Sequence, residues 1–302
     1  MPAEVTDMVD QQHGAEKPAP DLRDVRYGPY ERNVVDFWRA DADGPRPLVV
    51  FFHGGGFRQG DKAGVPPALL AECLGGGISV ASGNYRLSDQ APFPAPMLDG
   101  ARAIQFLRSK ADEWELDPAK IAACGGSAGA GISLWTAFHD DMADPESDDP
   151  VERQSTRLAC AASFNGQCSY DPRFIKQHIG GSGELHDALV SFYALAPEEL
   201  DTPKAHTLYD EAAAITYLTA DDPPVFLFYT FAMTDVPMAA DADPGHVIHH
   251  PQFGVVLKER MEGLGIECVL RLAEDYDCAP EELGQRGFRD AARFFVERLA
   301  GE

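Results

Sequence analysis

The stretch IAACGGSAGAG (121–131) decides the fold. Its first six residues form a short apolar run of strand length, and the residues after Ser127 (AGAGISLWTAFH, 128–139) have the composition of a buried helix. Between them, Gly125-Gly126-Ser127-Ala128-Gly129 fits the pattern G-x-S-x-G, in which a serine sits on a sharp strand-to-helix turn. Such a turn forces unusual backbone angles on the serine, so its flanks must lack bulk. Gly125, Ala128 and Gly129 meet that demand. The helix that follows would aim free N–H groups and its positive dipole end at the serine, which favours a developing oxyanion. A phosphate-binding loop would instead end in GK[ST], and this stretch does not.

On either side of this turn the chain alternates strand-like and helix-like segments. VVDFWRA (34–40) and PLVVFF (47–52) read as two strands joined by a hairpin-like DADGPRP link. ISVASGNYRL (78–87), LACAASFNG (158–166), PPVFLFYTF (223–231) and IECVLRLAED (266–275) read as further strands. Periodic segments around PALLAECL (67–74), from Met97 to about Trp114, and in QFGVVLKERMEGLG and RGFRDAARFFVERLA read as helices. This alternation predicts an α/β fold with a mostly parallel sheet covered by helices on both faces. A polar tail (1–24) is expected to precede a single domain (25–302), with a cap segment inserted at about 167–222.

A second motif, His53-Gly54-Gly55-Gly56-Phe57, follows the PLVVFF strand. Three successive glycines let backbone N–H groups approach a substrate oxygen without side-chain obstruction. Together with the N–H of Ala128 they would make an oxyanion hole.

With these motifs, and with NYRL (84–87), FPAPMLDGARAIQFLRSKADEWELDPAKIAACGGSAGAG (93–131) and DPPVFLFY (222–229), the chain resembles the hormone-sensitive-lipase-like α/β-hydrolases and the related bacterial acetyl-esterase and feruloyl-esterase-like carboxylesterases. The resemblance covers about 25–135 well and 222–300 loosely. It implies an α/β-hydrolase fold and hydrolysis of small or medium acyl esters through an acyl-enzyme, without metal or organic cofactor. It also implies Ser127 as nucleophile, an oxyanion hole from Gly55, Gly56 and Ala128, and His53 as a structural residue that holds the glycine loop. In such folds the acid follows the PPVFLFYTF strand, so Asp235 is the first choice there, with Asp241 and Asp243 as fallbacks.

The departure concerns the general base. The resemblance places a histidine after the last strand, yet RLAEDYDCAPEELGQ (271–285) contains only carboxylates, and a serine hydroxyl needs a nearby proton acceptor. The replacement candidates sit in GHVIHHPQFG (245–254), which holds His246, His249 and His250, three of the nine histidines. Pro251 suits the first turn of a helix, so the histidines before it are predicted to be non-helical, and an i, i+4 metal pair on one helical face is then lost. His249 or His250 just before a helix N-terminus would be favoured as neutral imidazole. The orienting carboxylate is then Asp235 in the same loop, or Asp275 or Asp277 in the next. The alternatives are a pair that only caps the helix, with His178, His186 or His206 as base, a catalytically silent hydrolase fold that binds a ligand or partner in the cleft, or a metal-binding module.

The bulk numbers narrow the partners. With 25 basic and 49 acidic residues the net charge is −24, which opposes a nucleic acid or an anionic membrane as main partner. The expected partner is a small-molecule ester, with a homo-oligomer left open. The N-terminal residues show no signal-peptide pattern and no run of 18 apolar residues occurs, so the expected location is cytoplasmic. Six cysteines without CxxC spacing read as buried reduced thiols.

Overall fold

A computed structural model describes residues 17–301. In chain order the elements are β1 (Leu22–Arg26), β2 (Val34–Trp38), β3 (Arg46–Phe52), α1 (Pro67–Gly75), β4 (Ser79–Gly83), α2 (Ala95–Ser109), α3 (Ala111–Trp114), β5 (Leu116–Gly126) and α4 (Ala128–Phe138). They continue with β6 (Cys160–Phe164), α5 (Pro172–His178), α6 (Asp187–Tyr193), α7 (Pro203–Ala212), β7 (Val225–Tyr229), α8 (Pro244–Ile248), α9 (Gln252–Gly263), β8 (Cys268–Leu272) and α10 (Pro280–Phe295). Residues 1–16 of the expected tail lie outside the described residues, and its last part is strand, since β1 starts at Leu22.

The eight strands form one sheet in the order β1-β2-β4-β3-β5-β6-β7-β8. The pairs β1–β2 and β2–β4 are antiparallel and the rest are parallel. Alternating side chains of the central strands enter opposite cores, as the period of two requires. Leu48, Val50, Phe52, Ala123, Leu227 and Tyr229 meet α2, α4 and α9 on one face. Val49, Phe51, Cys124, Phe226 and Phe228 meet α1 and α10 on the other, through Leu69, Leu70, Phe288, Ala291 and Phe295. Both faces are therefore covered, which is why the strands read as continuous apolar runs.

The predicted hairpin between β2 and β3 does not form. β4 lies between them, antiparallel to β2 and parallel to β3. DADGPRP turns the chain, but β3 is buried on both faces and pairs in parallel on both edges, which excludes β2 as its neighbour. Five of the six free cysteines are buried, and Cys278 is partly exposed. No helix among the described residues is long and apolar enough to cross a membrane.

Between β6 and β7 the chain forms α5, α6 and α7, of which α6 docks on the glycine loop through an aromatic ring. Phe57 stacks on Phe192 at 4.2 Å and meets Tyr170 edge-on at 5.6 Å. Phe192 also accepts the Phe93 N–H at 2.7 Å, and Ser88 and Ser191 share a hydroxyl hydrogen bond at 2.8 Å. These contacts tie α6 to the loops that follow β3 and β4.

Candidate active site

Strand β5 delivers Ser127 into a turn with φ 48° and ψ −114°, a conformation that costs energy for any residue with a side chain. The surroundings enforce it. A Cβ on Gly129 would lie 2.0 Å from the Phe52 carbonyl oxygen, and one on Gly125 would lie 2.5 Å from the same atom. The register Phe52↔Gly125 places β3 against this turn. The Ser127 N–H donates to the Phe164 carbonyl at 2.9 Å, while its own carbonyl accepts from Gly131 N–H at 3.0 Å as the first bond of α4. The side chain is left at the C-terminal edge of the sheet with its hydroxyl free to face the loops.

The hydroxyl faces His249. Ser127 Oγ and His249 Nε2 are 3.0 Å apart. His249 Nδ1 lies 2.8 Å from the Gly245 carbonyl oxygen, which accepts only, so the proton sits on Nδ1 and Nε2 is left to accept from the serine. Phe231 stacks on the ring at 5.1 Å. Burial holds the imidazole below its ordinary value of 6.5, against the Gly245 hydrogen bond, which raises it; the neighbouring His186 lowers it further and Asp243 raises it.

His249 is the C-cap of α8, a single turn that includes His246. The histidines before Pro251 are thus partly helical, contrary to the sequence reading. Asp243 caps the start of the turn by accepting the His246 N–H at 2.8 Å, and a proline at the first helical position favours the same start. A five-residue helix cannot hold itself, so these end contacts keep its shape.

The other candidates are placed elsewhere. His250 is fully buried; its Nδ1 accepts the Gln252 N–H at 3.0 Å at the head of α9, and its Nε2 donates to Thr234 Oγ1 at 3.0 Å. It does not reach Ser127. His246 Nε2 donates to the Ala232 carbonyl at 3.0 Å. The three imidazoles therefore serve three different partners, and among the described residues no group of three or more His, Cys, Asp or Glu is arranged to hold a metal ion. Asp235 is exposed, as are Asp241 and Asp277, and Asp275 accepts the Leu272 N–H at 2.9 Å. Among the described residues no carboxylate hydrogen-bonds to His249, so the structure departs from the expected Asp235 partner. The backbone oxygen of Gly245 takes the position a carboxylate would fill. His206 pairs with Asp201, His178 packs on Phe174, and His186 caps α6 through Nδ1.

The glycine loop lies beside the serine: a Cβ on Gly54 would sit 3.6 Å from Ser127 Cβ. Gly55 (φ 105°) and Gly56 (φ 60°) occupy the left-handed half of backbone space, and there a Cβ would collide with the Gln59 carbonyl at 2.3 Å and with Ala188 Cβ at 2.8 Å respectively. Their N–H groups make no backbone hydrogen bond among the described residues, and the N–H of Ala128 is the first of α4, which has no partner within the helix. His53 holds this loop from behind. Its Nδ1 donates to the Gly54 carbonyl at 2.8 Å, Nε2 accepts from Arg32 at 3.1 Å, and the ring stacks on Tyr85 at 4.3 Å. Burial pushes its pKa down to about 4.

The BD-FAE family model matches residues 36–241. The chain belongs to the BD-FAE family. The matched stretch carries the glycine loop and Ser127 but stops before Gly245 and His249. The carboxylic ester hydrolase LipM of Mycobacterium tuberculosis, described as probable, is 28% identical over 68% of this chain and 46% of its own length. The chain thus spans about half the length of the curated relatives it matches. Among solved structures, a truncated carbohydrate esterase from gut microbiota superposes with a TM-score of 0.72 at 18% identity, covering 94% of this chain and 100% of that one. A thermophilic esterase from the Planctomycetes species Thermogutta terrifontis gives 0.66 at 21%, covering 90% and 91%. These likenesses show the α/β-hydrolase fold.

Within this BD-FAE member, sequence reasoning missed Gly245 and Gln167, and it named Asp243 only as a fallback acid and not as a helix cap. The Gly245 carbonyl carries no side-chain signal at all. Asp243 was legible as a helix cap, since Asp-Pro precedes the turn. Gln167, buried beneath the His249 segment, shows nothing local that sets it apart from other glutamines.

Proposed function

We propose that this protein is a serine carboxylesterase that hydrolyses small or medium acyl esters through an acyl-enzyme. The observation that carries the reading is the 3.0 Å contact between Ser127 Oγ and a His249 Nε2 whose tautomer is fixed by the Gly245 carbonyl. Names given to the relatives, carboxylic ester hydrolase and esterase among them, agree with it.

In the first half-reaction His249 Nε2 takes the Ser127 proton as Oγ bonds to the ester carbonyl carbon. The negative charge that develops on the carbonyl oxygen is held by the N–H groups of Gly55, Gly56 and Ala128. The imidazolium returns the proton to the alcohol oxygen as its bond to carbon breaks. In the second half a water gives its proton to Nε2, its oxygen bonds to the acyl carbon, and Ser127 leaves with the proton as the acid is released. Nucleophile, base and oxyanion donors all come from this chain, so the scheme requires neither metal nor organic cofactor.

The test is turnover of p-nitrophenyl acetate and butyrate, with a fluorophosphonate probe to report an activated serine. Ser127→Ala should abolish labelling and lower kcat by at least about 10³-fold. Ser127→Ala protein with intact turnover would refute the assignment. A catalytically silent hydrolase would show neither turnover nor labelling in the wild type.

A further inference from the structure

Ser127 and His249 are 122 positions apart in the chain, and the distance between them has to be set by something that touches both segments. On the serine side that segment is the end of β6. The Phe164 carbonyl accepts the Ser127 N–H at 2.9 Å. The next residue, Asn165, is held in the left-handed region at φ 49°: its N–H donates to the Phe228 carbonyl at 2.8 Å, and its side-chain oxygen accepts the Thr230 N–H at 2.7 Å. On the histidine side the segment is the exit of α8, where the Ile248 carbonyl belongs to the peptide that leads into His249.

Gln167 joins the two. It is 2% exposed, and its Nε2 donates to the Ile248 carbonyl at 2.6 Å and to the Asn165 carbonyl at 3.3 Å. The Ile248 oxygen is one of the carbonyls that a helix end leaves without a partner inside the helix, so the carboxamide satisfies it while fixing where the turn stops. We infer that Gln167 is a positioning residue that sets the Ser127–His249 contact by clamping the peptide before the base to the turn beneath the nucleophile. The inference rests on the serine–histidine reading above. It assigns Gln167 no contact with substrate. In this arrangement an uncharged side chain, together with a backbone carbonyl, does the orienting work for which a triad uses a carboxylate.

Gln167→Met keeps the length of the side chain and removes the donor, whereas Gln167→Glu keeps the shape and sets a carboxylate against two carbonyl oxygens. Displacement of reacting groups by about 1 Å costs on the order of 10²-fold, so kcat for p-nitrophenyl butyrate should fall about 10- to 100-fold in both variants. KM should stay within about twofold and fluorophosphonate labelling should slow by the same factor as kcat, because chemistry rather than uniform binding is lost. The acid limb of kcat/KM should move up toward 6.5 in Gln167→Met as His249 loses its buried seat. Wild-type kcat and labelling rate in Gln167→Met, whatever its melting temperature, would overturn the inference, as would a loss confined to KM. Should that variant not fold, Gln167→Glu carries the same comparison. A wild type that neither turns over nor labels refutes the proposed function instead; the clamp is then read from the downfield proton resonance of His249 Nδ1–H, which should weaken or shift in Gln167→Met. An unchanged resonance would overturn it.

Discussion

Replacing Asp243 by asparagine separates two ways in which a carboxylate near the base can act. In a triad the acid bonds directly to the imidazole, and changing it to its amide lowers kcat by about 10⁴-fold, as known for the serine-protease case. Here the Asp243 carboxylate accepts the His246 N–H at 2.8 Å, and the imidazole proton is taken by the Gly245 carbonyl two residues further on. Asparagine caps a helix about as well as aspartate, so Asp243→Asn should keep α8 and hold kcat within about twofold of wild type. Asp243→Ala removes the cap, worth about 1 kcal/mol, and limits the fall in kcat to about fivefold. The charge has a separate effect. Asp243 raises the His249 pKa, so in the asparagine variant the acid limb of kcat/KM should shift to lower pH, while the alanine plateau drops. Steady-state kinetics of both variants from pH 4.5 to 8.5 with p-nitrophenyl butyrate would show this. A loss of about 10³-fold or more in Asp243→Asn would refute the reasoning and make Asp243 the direct orienting acid.

Two pH dependences follow from the buried imidazoles. The base must be neutral to accept the Ser127 proton, so activity rises with pH through the His249 pKa; burial lowers that value, and the kcat/KM profile should reach half its plateau below pH 6.5. A midpoint at pH 7 or above would mean that His249 is not the titrating base. His53 acts on stability. Its folded-state pKa is about 4 and its ordinary value 6.5, so between these the unfolded chain binds the extra proton: the contribution is complete above pH 6.5, falls as pH drops, and is gone near pH 4, a difference of about 3 kcal/mol. Urea unfolding of His53→Asn, which retains a donor near the Gly54 carbonyl, should lose less stability than wild type between pH 6.5 and 4. Parallel curves would contradict a neutral buried His53.

What the sequence revealed was governed by local sterics. Gly125 and Gly129 are forced by the Phe52 carbonyl, and Gly55 and Gly56 by the left-handed turn, so backbone geometry wrote itself into residue type. The doubly buried strands were legible as apolar runs for the same reason. Pairing was not. The sequence shows that β2 and β3 are joined by a reversal, but nothing local shows that β4, a segment from beyond α1, fits between them. The pairing of β3 depends on its two buried faces, which only the assembled sheet displays.

The histidine cluster falls between these two cases. A histidine near the serine was expected from chemistry, and GHVIHHPQFG supplied three, but their roles are fixed by partners that leave little trace in sequence. His250 is held by the head of α9 and by Thr234, and His246 by the Ala232 carbonyl. His249 alone of the three faces Ser127, because it closes a one-turn helix whose fourth-preceding residue offers its carbonyl. Any residue at position 245 has that oxygen, so a search for the orienting group among carboxylates looks at side chains when the decisive atom is in the backbone. A neutral carbonyl fixes the tautomer as well as a carboxylate does, but it offers less charge to the imidazolium that forms when the serine proton moves. In the proposed mechanism the site works as a triad whose third member is a neutral carbonyl. Asp243 adds a smaller contribution through space, raising the His249 pKa without a hydrogen bond to the ring, while burial and His186 act against it.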